Sequence, residues 1–198
     1  PPAVGLPFGP DILNRMEGNG DAWGFSLGLL WEVAEKHRVA LAYHHSFTID
    51  YDGNNRLRGV AVSDMNTSLD FPAVISAGYA YLPTDRWTIE FDVDWTNWEK
   101  VDSLTVESGG STLVQRQDFN NTFTYKLGTQ YQWSECLALR AGYIYNQNAT
   151  PDSTWGPSLP DTVSHFFTGG FGYTIGPVTI DTALQLVLYE TRTIDNSP

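Results

Sequence analysis

The chain has 198 residues, of which 14% are aromatic and 18 are glycine, so it suits a single β domain and gives no compositional reason for two. Its formal net charge of −12 argues against a nucleic-acid partner, because contacts to phosphates need a basic face. The single cysteine, Cys136, excludes an intrachain disulfide and a thiolate metal cluster, and the lack of a run of about 18 apolar residues excludes a spanning helix but not a spanning barrel.

Residues 1–21 are rich in Pro, Gly and Asn, and we predict an irregular lead-in there. Apolar residues then alternate with small or polar ones, which predicts a first strand at residues 22–33 and, after a short polar turn, a second at residues 38–51. The following connection, residues 52–70, is long and polar. A third strand is predicted at residues 71–81, and a Pro-Thr-Asp turn follows it.

The clearest alternation lies in residues 86–98, RWTIEFDVDWTNW. The odd positions are apolar: Trp87, Ile89, Phe91, Val93 and Trp95. The even positions are polar: Thr88, Glu90, Asp92, Asp94 and Thr96. Because successive side chains of a strand point to opposite faces, this fourth strand has one apolar face and one face with three carboxylates.

Four more strands are predicted after a second long connection at residues 99–118. They cover residues 119–133, 136–145, 163–175 and 178–191. A third long connection, residues 146–161, contains three prolines. About eight strands therefore occupy residues 22–192, and residues 193–198 form a tail.

Short turns and long connections alternate strictly along the predicted strands. In an up-and-down meander, all short turns then lie at one end and all long loops at the other, which is the layout of outer-membrane barrels. The apolar rows also tend to end in Trp or Tyr, as membrane-interface girdles do. The pattern predicts an all-β fold, an antiparallel up-and-down transmembrane β-barrel portion. The alternative is a soluble lipocalin-like barrel that binds a hydrophobic ligand and buries its aromatic rows in a core.

Four stretches resemble the FadL family of outer-membrane transporters for long-chain fatty acids and aromatic hydrocarbons. They are EGNGDAWGFSLGLLWEV, HRVALAYHHSFTIDYDG, LDFPAVISAGYAYLPTDRWTIEFDVDWTNWEKVDSL and LPDTVSHFFTGGFGYTIG. The resemblance covers most of residues 17–192 and implies a fourteen-stranded barrel with an N-terminal hatch, of which this chain supplies about eight strands. It also implies passive passage of hydrophobic small molecules through the bacterial outer membrane, with lipid outside and a monomeric full-length form.

In a barrel of this kind, the polar even-numbered row faces the lumen and the apolar odd-numbered row faces lipid. The predicted lumen-lining residues are His44, Glu90, Asp92 and Asp94. The last strand is expected to switch parity, so that its apolar residues face outward: Val178, Ile180, Leu184, Leu186 and Leu188.

Three basic residues are candidates for ligand binding. Arg116 closes the second long connection, and the resemblance implies a basic residue near this position that holds a substrate carboxylate; alignment on Leu127-Gly128 places that residue at Gln115 instead. An ordinary loop arginine is the alternative for Arg116. Lys126 and Arg140 have inward parity, and we expect them to neutralise the inward carboxylates or to support carboxylate binding.

Other chemistry has little support in the sequence. The four histidines show no ligand spacing, and residues 50–54 depart from a calcium loop in the positions of Gly and Glu, so no metal site is predicted. No Ser, His and Asp set has a nucleophile context, so we expect neither an enzyme nor a cofactor.

Overall fold

The computed structural model describes residues 14–57, 60–157 and 159–194, and it forms an all-β protein with one 3-10 helix at Trp98–Lys100. The strands are β1 (Asn14–Asn19), β2 (Ser26–Ala34), β3 (His37–His44), β4 (Phe47–Leu57), β5 (Val60–Phe71), β6 (Val74–Thr84), β7 (Trp87–Thr96), β8 (Ser103–Ser108), β9 (Ser111–Arg116), β10 (Thr122–Gln132), β11 (Leu137–Asn146), β12 (Ser164–Ile175) and β13 (Val178–Tyr189).

Eight of these strands form one antiparallel sheet in the order β13-β12-β11-β10-β7-β6-β3-β2. Each predicted short turn joins two neighbours in this sheet, so the predicted up-and-down order is confirmed. The strands have 8 to 12 residues, close to the roughly 9 to 11 that a tilted strand needs to cross a bilayer. We name this the barrel sheet. Among the described residues, β2 and β13 are its two edges and do not pair with each other.

The other five strands form a second antiparallel sheet in the order β1-β4-β5-β8-β9, which we name the projecting sheet. It corrects three predictions. The lead-in is wrong for Asn14–Asn19, which is a strand paired with β4; residues 1–13 lie outside the described residues. The long connections at residues 52–70 and 99–118 are largely strands as well. Apolar alternation is short or missing in these stretches, which pair with one another through their backbones.

The predicted second strand is divided between the two sheets. β3 ends at His44 and pairs with β2 and β6, whereas β4 begins at Phe47 and pairs with β1 and β5. The chain changes partners at this point, where the backbone N–H of His45 donates to the carbonyl of Phe25. β3 and β4 together are too long for one membrane crossing, so the projecting sheet extends beyond the barrel at its long-loop end.

Register between neighbouring barrel strands keeps the two rows of side chains separate. Phe91 lies opposite Tyr79 and Leu127, while Asp92 lies opposite Gly78 and Lys126. The apolar row is exposed; Phe91, for example, keeps 46% of its surface accessible. Apolar rows of this extent on an uncovered face are typical of a membrane-facing surface and disfavour the soluble alternative.

The predicted parity switch in β13 follows from the turn before it. Gly176 and Pro177 form a two-residue turn, with Gly176 at a positive φ of 57°, and β12 pairs with β13 without a register shift. The turns before β3 and β7 are also tight, but a β-bulge next to each one shifts the register by one residue. Odd residues therefore lie opposite odd residues in these two pairs of strands. Odd residues of β12 therefore lie opposite even residues of β13, which places Leu184 and Leu186 on the outer face.

Among the described residues, no helix has the length and apolar character needed to cross a membrane.

Candidate functional site

The inner face of the barrel sheet carries a groove of about 610 Å³ that crosses β7, β10, β11, β12 and β13. Even positions supply its wall on the first four strands, and odd positions do so on β13. The charged residues that line it are Glu90, Asp92, Lys126, Arg140 and Asp181. Since one continuous groove touches five strands on the same side, the sheet curves toward this polar row and away from the apolar one.

Lys126 forms an ion pair within the polar row. It lies opposite Asp92 in the register, but its ammonium group contacts the carboxylate of Asp94, one inward position further along β7. The side chain of Asp94 is largely buried and that of Lys126 is about one-third exposed. Lys126 therefore neutralises one of the three carboxylates on β7.

Arg140 is held by two partners, neither of them on β7. Its Nε donates to Oε1 of Gln130 at 2.7 Å, and its Nη1 donates to Oδ1 of Asp181 at 2.5 Å. To reach Asp181 on β13 the guanidinium crosses β12 at Gly172. A Cβ at Gly172 would lie 2.5 Å from that Asp181 oxygen and 3.2 Å from Arg140 Nη1, so the crossing depends on glycine.

Sequence reasoning missed Asp181 as the partner of Arg140. It expected Arg140 to act on the carboxylates of the fourth strand, but the parity switch brings Asp181 onto the inner face two strands away from Arg140. The switch was predicted from the apolar residues of the last strand, and the same parity places Asp181 on the inner face. Among the described residues, Glu90 and Asp92 form no ion pair, and the groove wall keeps a net negative charge.

Arg116 lies apart from Lys126 and Arg140, since it ends β9 in the projecting sheet. Its Nη2 donates to Oδ1 of Asp118 at 2.9 Å, and its side chain is 74% exposed. The hydrogen bond and charge of Asp118 raise the pKa of Arg116 above its usual value. The structure thus places two of the three predicted ligand-binding residues in one groove and the third at the long-loop end.

His44 has the inward parity predicted for it and lies near the long-loop end of β3. Its Nδ1 and the hydroxyl of Ser26 lie 2.9 Å apart in a hydrogen bond. Within the described ranges, no group of three His, Cys, Asp or Glu side chains is arranged to hold a metal ion.

The third long connection folds over the inner face at the long-loop end, and two charged residues fix it. Both backbone N–H groups of Ala149 and Thr150 donate to Oδ2 of Asp161, at 2.7 and 2.8 Å. Arg192 donates to Asp152 and to the carbonyls of Thr150 and Asp161. The side chain of Arg192 is only 18% exposed, so these bonds hold the loop in a defined position.

The sequence matches the model of a known protein family, described as "Outer membrane protein transport protein (OMPP1/FadL/TodX)", over residues 4–197. The chain belongs to this family. Membership confirms the resemblance found in the sequence and the predicted location in the bacterial outer membrane, and the family is one of transport proteins.

Curated relatives of this transport family align along most of the chain. The "47 kDa outer membrane protein" of Pasteurella multocida is 28% identical over 192 residues, which are 86% of this chain and 44% of that protein. The "Long-chain fatty acid transport protein" of Escherichia coli is 24% identical over 201 aligned positions, 91% of this chain and 45% of that protein. The chain thus spans less than half the length of these relatives.

Solved structures share the fold. A Pseudomonas aeruginosa FadL homologue superposes with a TM-score of 0.80 at 24% identity, covering 94% of this chain and 49% of that one. The TodX deltaS2S3 mutant, named as a monoaromatic hydrocarbon channel, gives 0.70 at 23% identity over 84% and 44% of the two chains. At these identities the likeness shows the fold, and it confirms the all-β barrel portion.

Proposed function

We propose that the chain forms part of a barrel through which hydrophobic small molecules cross the outer membrane by passive passage. The observation that carries the proposal is the division of the barrel sheet into an apolar outer row and a polar inner row that lines a groove. Lipid contacts the outer row, and the substrate moves along the inner one.

Gly128 leaves open space on the inner face, whereas neighbouring groups fill the space beside the other inward glycines of this region. Gly128, Gly142, Gly170 and Gly172 all lie in the wall of the barrel on inward positions of β10, β11 and β12. Around Gly128 an added Cβ would meet nothing within 4 Å. Passive passage requires open space and weak binding along the wall. The proposal assigns no covalent step to any residue.

The basic residues support a preference for amphipathic acids such as long-chain fatty acids, the substrates named for several relatives. Lys126 and Arg140 interrupt a wall that otherwise repels a carboxylate. Arg116 is exposed at the long-loop end, and we propose that an arriving carboxylate meets it first, since a guanidinium can bind a carboxylate through two parallel hydrogen bonds.

Uptake into liposomes that contain the complete gene product tests the passage. Ala183 lines the groove on β13, and Ala183→Trp should lower the flux of both oleate and toluene several-fold by narrowing it. Val178→Trp, on the outer face of the same strand, is the matched control and should leave both fluxes nearly unchanged. Equal fluxes in both variants and the parent would contradict passage along this face.

A second pair of variants tests the role of Arg116. Arg116→Ala should weaken oleate uptake and spare toluene, because only oleate carries a carboxylate. Arg56→Ala removes a different arginine of the projecting sheet, one paired with Glu17, and should change neither. Equal loss of both substrates in Arg116→Ala would indicate a folding defect, and no loss would return Arg116 to an ordinary loop role.

A further inference from the structure

The outer, lipid-facing row of the barrel sheet ends next to a charged side chain. Within the described residues, no strand of this sheet places Asp, Glu, Lys or Arg on the outer row. Glu190 directly follows β13 and continues the row beyond Leu188 at the long-loop end, where its backbone N–H donates to the carbonyl of Val163. Its side chain is 54% exposed. A carboxylate just beyond the apolar row lies at the level of lipid headgroups rather than acyl chains.

His165 holds the Glu190 carboxylate in place. Oε1 of Glu190 lies 3.0 Å from Nε2 of the imidazole, and Nδ1 of the same ring lies 2.8 Å from the hydroxyl of Tyr143. Because a carboxylate only accepts hydrogen bonds, Nε2 donates to Glu190 and Nδ1 accepts from the Tyr143 hydroxyl. This chain of bonds is complete with a neutral imidazole. It therefore positions the carboxylate of Glu190 and leaves its negative charge uncompensated.

No Lys or Arg of the described ranges pairs with Glu190. Arg192, two positions further along the chain, donates instead to Asp152 and to the carbonyls of Thr150 and Asp161. In the part of the chain that the structure describes, Oε2 of Glu190 has no hydrogen-bond partner. This oxygen can accept a hydrogen bond from a ligand, and a cationic donor forms the stronger bond.

Aromatic rings surround the imidazole on the same face. The ring of His165 stacks on that of Tyr143, with centroids 6.1 Å apart, and its centroid lies 5.4 Å from that of Tyr145. Phe167 continues the cluster toward the middle of the sheet, 5.1 Å from Tyr143. The faces of aromatic rings attract cations, ammonium groups among them. Glu190 and these rings together favour a positively charged ligand group.

Lipid is the partner that fits this position. Leu188 lies opposite His165 and Leu186 lies opposite Phe167, so the apolar outer row continues directly from the carboxylate toward the middle of the membrane. A strand that pairs with the free edge of β13 would lie beside this face and leave it uncovered. A lipid whose acyl chains contact the two leucines brings its headgroup to Glu190.

We infer that Glu190, held by His165, binds the primary ammonium group of a lipid headgroup at the long-loop end of the outer face. A primary ammonium donates to the free carboxylate oxygen, which a quaternary ammonium cannot do. A headgroup with only a negative charge is repelled by the carboxylate. The inference concerns the lipid-facing side and does not depend on the proposed passage along the inner face.

Native mass spectrometry of the complete gene product in detergent tests the lipid preference. Phosphatidylethanolamine, phosphatidylcholine and phosphatidylglycerol with identical acyl chains are added separately at the same concentration. Phosphatidylethanolamine should bind at least fivefold more tightly than phosphatidylglycerol, and phosphatidylcholine should lie between them. Equal binding of all three lipids would overturn the inference.

A pair of matched variants assigns the preference to one carboxylate. Glu190→Gln removes the charge but keeps an oxygen that accepts from His165, and it should reduce the preference for phosphatidylethanolamine at least threefold. Glu135→Gln makes the same change at an exposed position of the short turn between β10 and β11, at the opposite end of the barrel, and should keep the full preference. An unchanged preference in Glu190→Gln, or an equal loss in both variants, would contradict the site.

A zero-length cross-link locates the bound lipid. A water-soluble carbodiimide joins a carboxylate to a primary amine in direct contact, and peptide mass analysis identifies the carboxylate. In liposomes that contain phosphatidylethanolamine, the amide should form at Glu190 at least fivefold more often than at Glu135. Equal coupling at the two positions would overturn the site. Free ethanolamine, added to phosphatidylcholine liposomes, should not reproduce the ratio; if it does, the site binds amines in general and the assignment to lipid is wrong.

Discussion

The barrel sheet and the projecting sheet are both antiparallel, but different interactions join their neighbouring strands. On the outer face of the barrel sheet, cross-strand neighbours are aromatic, as in the pairs Tyr125 with Tyr145 and Tyr143 with Phe167. On one face of β4 and β5 in the projecting sheet they are hydroxyl and carboxylate groups: Thr48 donates to Asp70, and Ser68 donates to Asp50 at 2.6 Å. The first set suits contact with lipid and the second suits contact with water.

The boundary between the two sheets is marked by ring stacking. Phe47 and Phe71, the first residue of β4 and the last of β5, stack with centroids 4.8 Å apart. Beyond this pair the apolar row continues with Ile49 opposite Leu69 and is followed on β4 by Tyr51, Gly53 and Asn55, while the backbone bonds of the two strands satisfy one another within the ladder. A strand of this protein can therefore continue beyond the membrane, where its side chains no longer need to face lipid.

The largest expected effect comes from placing a charge on the outer row of the barrel sheet. Phe91→Arg puts a guanidinium at a lipid-facing position, which costs about 2 to 4 kcal/mol near the bilayer midplane, so membrane assembly should fail. Asp92→Asn, its neighbour on the inner face, should assemble normally. Folding of both variants into liposomes is measured by the shift in gel mobility on heating. Equal tolerance of the two changes would contradict the assignment of faces.

A second effect concerns the loop that covers the inner face. Arg192→Ala removes bonds to Asp152 and to two loop carbonyls, and the loss is about 1 to 3 kcal/mol of local stability, because the guanidinium is mostly buried. Hydrogen exchange of residues 146–161 should accelerate about tenfold or more, while β12 stays protected. Unchanged exchange in the loop would show that Arg192 does not fix it.

How far the sequence predicted this molecule depended on whether a strand has an apolar face. All eight barrel strands carry one, so their number and inner row were predictable from the alternation of side chains, and their order from the succession of short turns and long connections. The second half of β4 has the run Asp52-Gly53-Asn54-Asn55 and β8 has only six residues, so both were assigned to connections, whereas residues 47–51 of β4 were assigned to the second strand. Each pairs with the strand that follows it in the chain and with one distant strand, β1 for β4 and β5 for β8, and periodicity does not report the distant pairing.

The candidate site was likewise predictable from the sequence only in part. The inward positions of Glu90, Asp92 and Lys126 followed from parity, whereas the partner of Arg140 depended on the turn geometry two strands away. The cavity between the ends of β7, β10 and β11 and the loop after β11 was not predicted, since it is formed by loop residues such as Trp98 and Phe119 whose positions have no periodic signal. The sequence pattern thus predicted the inner row of the barrel sheet but not the cavity at its long-loop end.

A smaller effect is expected at Gly172, the glycine at which the guanidinium of Arg140 crosses β12. Gly172→Val should separate Arg140 from Asp181, and the cost is about 1 kcal/mol or less, because both side chains are well exposed to the lumen. Gly128→Val, on the same inner face with open space around it, is the control and should leave the ion pair intact. Urea unfolding from liposomes compares the two, and adding Arg140→Ala to each shows whether the excess cost of Gly172→Val belongs to the ion pair.

The smallest expected effect comes from placing a charge on the projecting sheet instead of the barrel sheet. Leu113→Arg puts a guanidinium on β9, where the native side chain is 67% exposed and lies outside the barrel sheet. If the projecting sheet is surrounded by water, this change should alter stability by no more than about 0.5 kcal/mol and leave membrane assembly intact, although Phe91→Arg prevents it. Heat-modified gel mobility and liposome yield measure the pair under identical conditions. Failure of Leu113→Arg to assemble would place β9 against lipid or against another part of the protein, and the contrast between the two sheets would then have to be abandoned.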